Sequence, residues 1–353
     1  MAAFSLLERI GLEWPILQAP MAGTSTPAMA AAVTNAGALG AIGLAAEAPD
    51  GAAKMIAATK ALTGGPINVN VFCHRPARPD AAVEAAWITR LKPQFEAFGA
   101  EPPSALREIY QTFRGNHDMM AVLLEAKPAV VSFHFGLPPE EQVRALKQAG
   151  IILFGSATSL AEARQLAEAG IDAIVAQGYE AGGHRGMFDY GAPDDRLGTV
   201  ALTRLLVHQV NLPVIAAGGI MDGAGIAAML RLGATAAQLG TAFVGCPESA
   251  ADSGYRAALA SEAAYHTTMT RAISGRPARC LANRFTKLTQ DVPDSAIPDY
   301  PITYDMGKAL IAAAKAKGEF GFGAQWAGQG APLSRPLPAA ELVRVLVKEM
   351  ESA

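Results

Sequence analysis

Apolar residues in this chain fall into short continuous runs separated by longer stretches in which they recur every three or four positions, the pattern of buried strands alternating with amphipathic helices. Ile16 to Ala19 reads as the first strand. Pro27 to Asn35 reads as a helix entered through Ser25-Thr26, with Pro27 at its first position and Gly37 closing it. Leu39 to Ile42 is the second predicted strand, Gly51 to Leu62 the next helix, and Ile67 to Val71 the third strand, with polar Asn70 inside its apolar run. The rhythm then stops. From Cys73 to about Lys127 the chain is rich in proline, aromatics and charge and too long for an ordinary connection, so a helical excursion beside the main unit is expected over about 74–127.

The alternation resumes with the strand Ala129 to Phe133, the helix Glu140 to Ala149, the strand Ile151 to Phe154, the helix Leu160 to Ala169 and the strand Ala173 to Ala176. Thr199 to Val210 is a helix, Val214 to Ala217 a strand, Asp222 to Leu232 a helix, and Ala236 to Leu239 the eighth strand. Eight strand–helix steps with no tight hairpin between apolar runs predict an α/β chain folded as a (β/α)₈ TIM barrel, with an open doubly wound sheet as the alternative. The barrel is expected over 1–245. Residues 246–336, with Tyr255, Tyr265, Tyr300, Tyr304 and Trp326, form a second, mainly helical lobe inserted after strand eight, and 337–353 supply the closing helix, Pro338 to Met350.

Composition narrows the function classes. The chain has 353 residues, half of them hydrophobic (51%), enough for one large core, and a net charge of −3 that offers no basic face to nucleic acid. Cys73, Cys246 and Cys280 are far apart and contain no CxxC, so neither a disulfide framework nor a zinc site is indicated and a reducing cytoplasm fits. Met1 to Gly11 is too short and too charged for a signal peptide. No charged residue lies between Glu13 and Glu47, but prolines, glycines and Asn35 break that run into strand, helix and strand, not a membrane span.

The chemistry gathers at the strand ends. Gln177 to Gly186, QGYEAGGHRG, follows the sixth strand with two adjacent glycines, a carboxylate, a histidine and an arginine. In parallel α/β folds this is where catalytic loops sit. By itself GGH also suits a surface turn. Further strand ends carry Ala19 to Gly23, Asn70 and His134, while Gly218-Gly219 follow strand seven and Gly240-Thr241 follow strand eight. Glycines after the last two strands are where such barrels hold a phosphate, so a phosphate-bearing cofactor is expected. No GxGxxG follows the first strand, and no H-x-x-H or carboxylate cluster is available for a metal.

Six segments in order, PILQAPMAG (Pro15 to Gly23), NVNVFCH (Asn68 to His74), FHFG (Phe133 to Gly136), QGYEAGGHRG, AAGGIMDG (Ala216 to Gly223) and QLGTAFVGCPES (Gln238 to Ser249), resemble the nitronate monooxygenases, formerly called 2-nitropropane dioxygenases, and within them class I. The resemblance spans the whole chain. It implies FMN at the C-terminal rim, held by Met21, Ala22, Gly23, Asn70, Gln177, Gly182, Gly183, Gly218, Gly219, Gln238, Leu239, Gly240 and Thr241, with Lys127 similar to a family lysine near the flavin. It implies His184 as catalytic base and Tyr300, Tyr304 and Lys308, with Tyr110, Tyr255 and His134, around the substrate. The reaction it implies is oxidation of alkyl nitronates by FMN and O₂ to carbonyl compounds and nitrite, with neutral nitroalkanes as further candidate substrates. An FMN-dependent NAD(P)H oxidoreductase, such as an enoyl or quinone reductase, is the main alternative. A flavin-free phosphate-binding isomerase and a non-catalytic flavin-binding protein also remain open.

Overall fold

In the computed structural model, which describes residues 2–353, the chain runs through β1 (Ile16–Gln18), β2 (Gly40–Gly43), β3 (Ile67–Phe72), β4 (Val130–His134), β5 (Ile152–Ala157), β6 (Ala173–Gln177), β7 (Gly183–His184), β8 (Val214–Ala217), β9 (Ala236–Leu239), β10 (Thr267–Thr270) and β11 (Ala278–Leu281). Eight of these pair in parallel in the order β1-β9-β8-β6-β5-β4-β3-β2. A parallel bridge from Leu17 to Leu39 joins the two ends. The sheet is thereby closed into a barrel, which rules out the open alternative and leaves no unpaired edge.

The first helix of the barrel shows how local sequence sets an element. Thr26 at the N-cap accepts from Met29 N and Pro27 opens the helix, so Pro27–Asn35 forms within the bounds its punctuation predicts. Its Met29, Ala30 and Val33 are buried against the strands. A helix over Ala2–Ile10 was not foreseen. Leu6 and Ile10 on it pack with Leu17, Leu39, Val130, Ile152, Phe154, Val175 and Ile215, the side chains that fill the barrel. This helix therefore plugs the N-terminal mouth, and burying Leu6 alone stabilises by about 1.5–3 kcal/mol.

Two features add to the sequence expectation. The lobe over 246–336 is mainly helical, as expected, but also carries β10 and β11, an antiparallel hairpin with Thr267 opposite Leu281, and β11 pairs in turn with β7, placing Ala278 opposite His184. Thr267 to Thr270 lacks the apolar run that marks a buried strand, so the sequence pattern predicts none there. The first excursion, moreover, does not stand alone. Trp87, Leu91 and Phe95 of the helix Ala81–Ala97 share one buried core with Phe285, Ile302, Met306, Leu310 and Phe322 of the second. Segments some two hundred residues apart thus make one body over the C-terminal rim. No described helix is long and apolar enough to cross a membrane.

Candidate active site

The barrel strands and the lobe enclose a cavity of about 270 Å³ at the C-terminal strand ends. Its floor carries Asn70 on β3, Ser132 and His134 on β4, Ser156 on β5 and Gln177 on β6. Asn70 donates through Nδ2 to Ser132 O and Oγ at 3.0 and 2.9 Å. One wall is nearly bare backbone: Gly182, Gly183, Gly218, Gly219, Gly240, Gly328 and Gly330. Among the described residues, the N–H groups of Gly219, Gly240 and Thr241 have no protein acceptor.

Four residues of the loop after β6 have a local reason, namely Glu180, Gly182, Gly183 and Arg185. Glu180 accepts from Thr199 N at 2.8 Å and caps the helix Thr199–Gln209. Gly182 lies so close to Ala327 and Gly328 that a Cβ would stand 2.5 Å from Gly328 N. Gly183, at φ 72°, turns the chain into β7, where it faces Arg279. Arg185 is buried and folds back, giving two hydrogen bonds of 2.9 Å to Asp194 and a third of 2.6 Å to Gln177 O. Arg279 adds two more to Tyr179 O, at 3.1 and 2.9 Å. The result is a loop held at both ends, with His184 presented from an edge strand.

The two cavity histidines differ in what their nitrogens do. His134 places Nε2 3.1 Å from His184 O and Nδ1 2.9 Å from Ser156 Oγ. A carbonyl only accepts, so Nε2 carries the proton and both nitrogens are engaged. His184 has Nε2 at 2.9 Å from Ser274 Oγ, while its Nδ1 has no protein partner among the described residues. Burial, and then the neighbouring His134, Arg276 and His74, push His184 down to about 3. Burial likewise holds His134 near 4. Both are neutral imidazoles at physiological pH.

Aromatic side chains close the site. Trp326, Tyr300 and Tyr304 surround His184, with ring centroids at 5.1, 5.7 and 6.1 Å. Burial, and then Glu47, raises Tyr110 to about 12; burial and then Tyr110 do the same to Tyr304. The phenols accordingly remain protonated donors. Lys308 is exposed at the mouth, its ammonium 5.0 Å from the centre of the Tyr110 ring and 5.9 Å from that of Tyr304.

A neutral imidazole with one open nitrogen, protonated phenols and a glycine wall thus line one small cavity. The family model for nitronate monooxygenase matches residues 5–349. The chain belongs to the nitronate monooxygenase family. A nitronate monooxygenase of Paraburkholderia phytofirmans is 62% identical over 349 residues, covering 99% of this chain and 95% of the relative. One of Pseudomonas aeruginosa is 54% identical over 343 residues, covering 97% of each. Among solved structures, the nitroalkane oxidase of Streptomyces ansochromogenes superposes with a TM-score of 0.90 at 39% identity, over 99% of this chain and 98% of that one.

Within this nitronate monooxygenase family member, all the site residues expected from the sequence line the cavity except Leu239 and Lys127. Leu239 turns its side chain into the core with Ile16 and Phe243. Lys127 is corrected outright. It caps the C-terminus of the helix His117–Ala126, exposed, just before β4 begins, and the five-residue strand that follows carries the chain about 16 Å toward the site. An isolated lysine in a segment of undefined structure had no strand end to locate it. The sequence reading missed Ser132, Ser156 and Ser274, and the AGQG segment, Ala327 to Gly330. Two more glycines beside Trp326 were a usable signal for the last; nothing in the sequence pointed to the serines.

Proposed function

We propose that this protein is an FMN-dependent nitronate monooxygenase that converts alkyl nitronates with O₂ to carbonyl compounds and nitrite, and that it admits neutral nitroalkanes by removing their α-proton with His184. The observation that carries this reading is the division of labour between the histidines. His134 has both nitrogens engaged, whereas His184 keeps Nδ1 open in the cavity. A neutral imidazole can take a proton; a protonated tyrosine cannot.

The chamber suits FMN. The cofactor's phosphate needs hydrogen-bond donors without a bulky side chain in front of them, which the unpaired N–H groups of Gly219, Gly240 and Thr241 supply. Its ring needs a flat approach, and Gly182 and Gly183 offer one. Among the described residues there is one such glycine cradle, and the sequence carries no pyrophosphate motif, which favours FMN over FAD. When bound, FMN supplies the redox chemistry with O₂, and the chain supplies position, proton transfer and exclusion of water.

The α-proton of a nitroalkane passes to His184 Nδ1, while the C–H electron pair stays on the substrate as the nitronate. The imidazolium and the anion then stabilise each other in a site screened from bulk water. In this reading Tyr110 and Tyr304, which line the cavity as protonated phenols, donate hydrogen bonds to the nitro oxygens, and the Lys308 ammonium draws anions to the mouth. The nicotinamide-linked alternative gains no specific support from the cavity.

The test is a pair of substrates. Purified yellow protein, its flavin identified by mass spectrometry, should consume O₂ and release nitrite with an alkyl nitronate and no nicotinamide. His184→Asn should lose about 10²-fold or more with the neutral nitroalkane, as expected for loss of a general base, and retain substantial turnover with the matching nitronate. Equal losses at full FMN content would assign His184 to anion binding instead.

A further inference from the structure

Behind His184 stands a hydroxyl that takes no part in bond making or breaking at the substrate. Ser274 is fully buried in the loop between β10 and β11, and its Oγ lies 2.9 Å from His184 Nε2. The same oxygen donates to Arg276 O at 3.2 Å and accepts from Arg276 N at 3.4 Å. A serine hydroxyl has one proton to give. If it goes to Arg276 O, Ser274 accepts from His184 Nε2–H and every group is satisfied. If it goes to His184 Nε2, the carbonyl of Arg276 loses its donor and is left buried and unpaired, which is the costlier arrangement.

From this geometry we infer that Ser274 is the positioning residue of the base: it holds the His184 proton on Nε2 and so keeps the lone pair of Nδ1 aimed into the cavity. The inference rests on His184 being the base. In the proton-transfer step the substrate C–H breaks, its electron pair remains on carbon, the proton bonds to Nδ1, and the Nε2–H bond to Ser274 persists unchanged. Because Ser274 is neutral, it fixes the tautomer without the charge that a carboxylate partner would bring. The register supports the assignment: Ala278 pairs with His184 and Arg279 with Gly183, and Pro277 O accepts from Arg185 N at 2.8 Å, so the backbone of this lobe segment holds ring and hydroxyl in one frame. Arg276 sets the rest of the frame, its guanidinium 3.9 Å from the centre of the Phe135 ring and hydrogen-bonded to Met187 O.

Two readouts test this on the flavin-loaded protein. Nitrogen-15 NMR of histidine-labelled enzyme, with His184→Asn used to assign the signal, should find His184 neutral with the proton on Nε2, and Ser274→Ala should move a substantial fraction of it to Nδ1. In turnover, Ser274→Ala should lose about 10-fold with a neutral nitroalkane, part of what a general base contributes, with little change for the matching nitronate, and Ser274→Thr should recover most of the loss. A wild-type proton on Nδ1, or a Ser274→Ala enzyme with unchanged tautomer and unchanged substrate ratio, overturns the inference. A failure of the base reading itself is distinct: His184→Asn would then lose equally on both substrates.

Discussion

Replacing Gly240 by valine separates the cofactor cradle from the fold around it. Gly240 has φ −107° and ψ −70°, a backbone that side-chain-bearing residues adopt. A Cβ built there would meet Ala19 Cβ at 3.4 Å and Met21 Sδ at 3.8 Å, ordinary van der Waals contacts. The fold should therefore survive. The two methyl groups, however, project into the cavity beside the N–H groups of Gly240 and Thr241. If the phosphate of FMN takes both, losing two hydrogen bonds to a charged acceptor costs about 3–6 kcal/mol. That corresponds to a Kd raised by roughly 10²–10⁴-fold. The assay is the ratio of flavin to protein absorbance after purification, followed by fluorescence titration of the apoprotein with FMN, with thermal unfolding of the apoprotein as the control for folding. Stoichiometric FMN with an unchanged Kd would refute the placement of the phosphate. A matched Gly182→Ala variant should do the opposite, disturbing the fold itself, because its Cβ would collide with Gly328 N at 2.5 Å and Ala327 C at 2.6 Å.

Two further outcomes follow from the same contacts. Burial holds His74, His134 and His184 at about 4, 4 and 3, below the usual histidine value near 6.5. Between pH 6.5 and about 4 the unfolded chain binds more protons than the folded one, so stability rises with pH across that window and levels off above it. With all three contributing, the slope approaches ~4 kcal/mol per pH unit, and urea unfolding midpoints that stay flat from pH 7 to 5 would contradict it. Arg185→Met leaves Gln177 O without its buried donor and should cost about 1–3 kcal/mol, partly exposed Asp194 being free to regain water; a loss below about 0.5 kcal/mol in urea denaturation would show that Arg185 does not hold the loop.

Much of the barrel could be read from the chain because each of its elements is marked locally. The strand Val214–Ala217 and the helix Pro27–Asn35 are delimited by an apolar run, a proline or a glycine, signals carried by neighbours in sequence. The rim residues followed from them, since a strand end fixes which side chains reach the C-terminal face, and so Asn70, Gln177 and His184 could be named without a structure. Lys127 shows the limit of that logic: with no strand end to anchor it, resemblance alone placed it at the wrong end of the barrel. What lies on the far side of His184 was decided only in three dimensions. Ser274 is 90 residues away in sequence, on a loop whose flanking strand Thr267–Thr270 carries no apolar run, and it reaches the imidazole because β11 pairs with β7. Trp87 and Phe322 likewise share a core that no local pattern announces. Periodicity records whether a residue faces inward; which distant segment meets it there depends on packing and hydrogen-bond satisfaction summed over the whole fold, and that sum exists only once the chain has closed on itself.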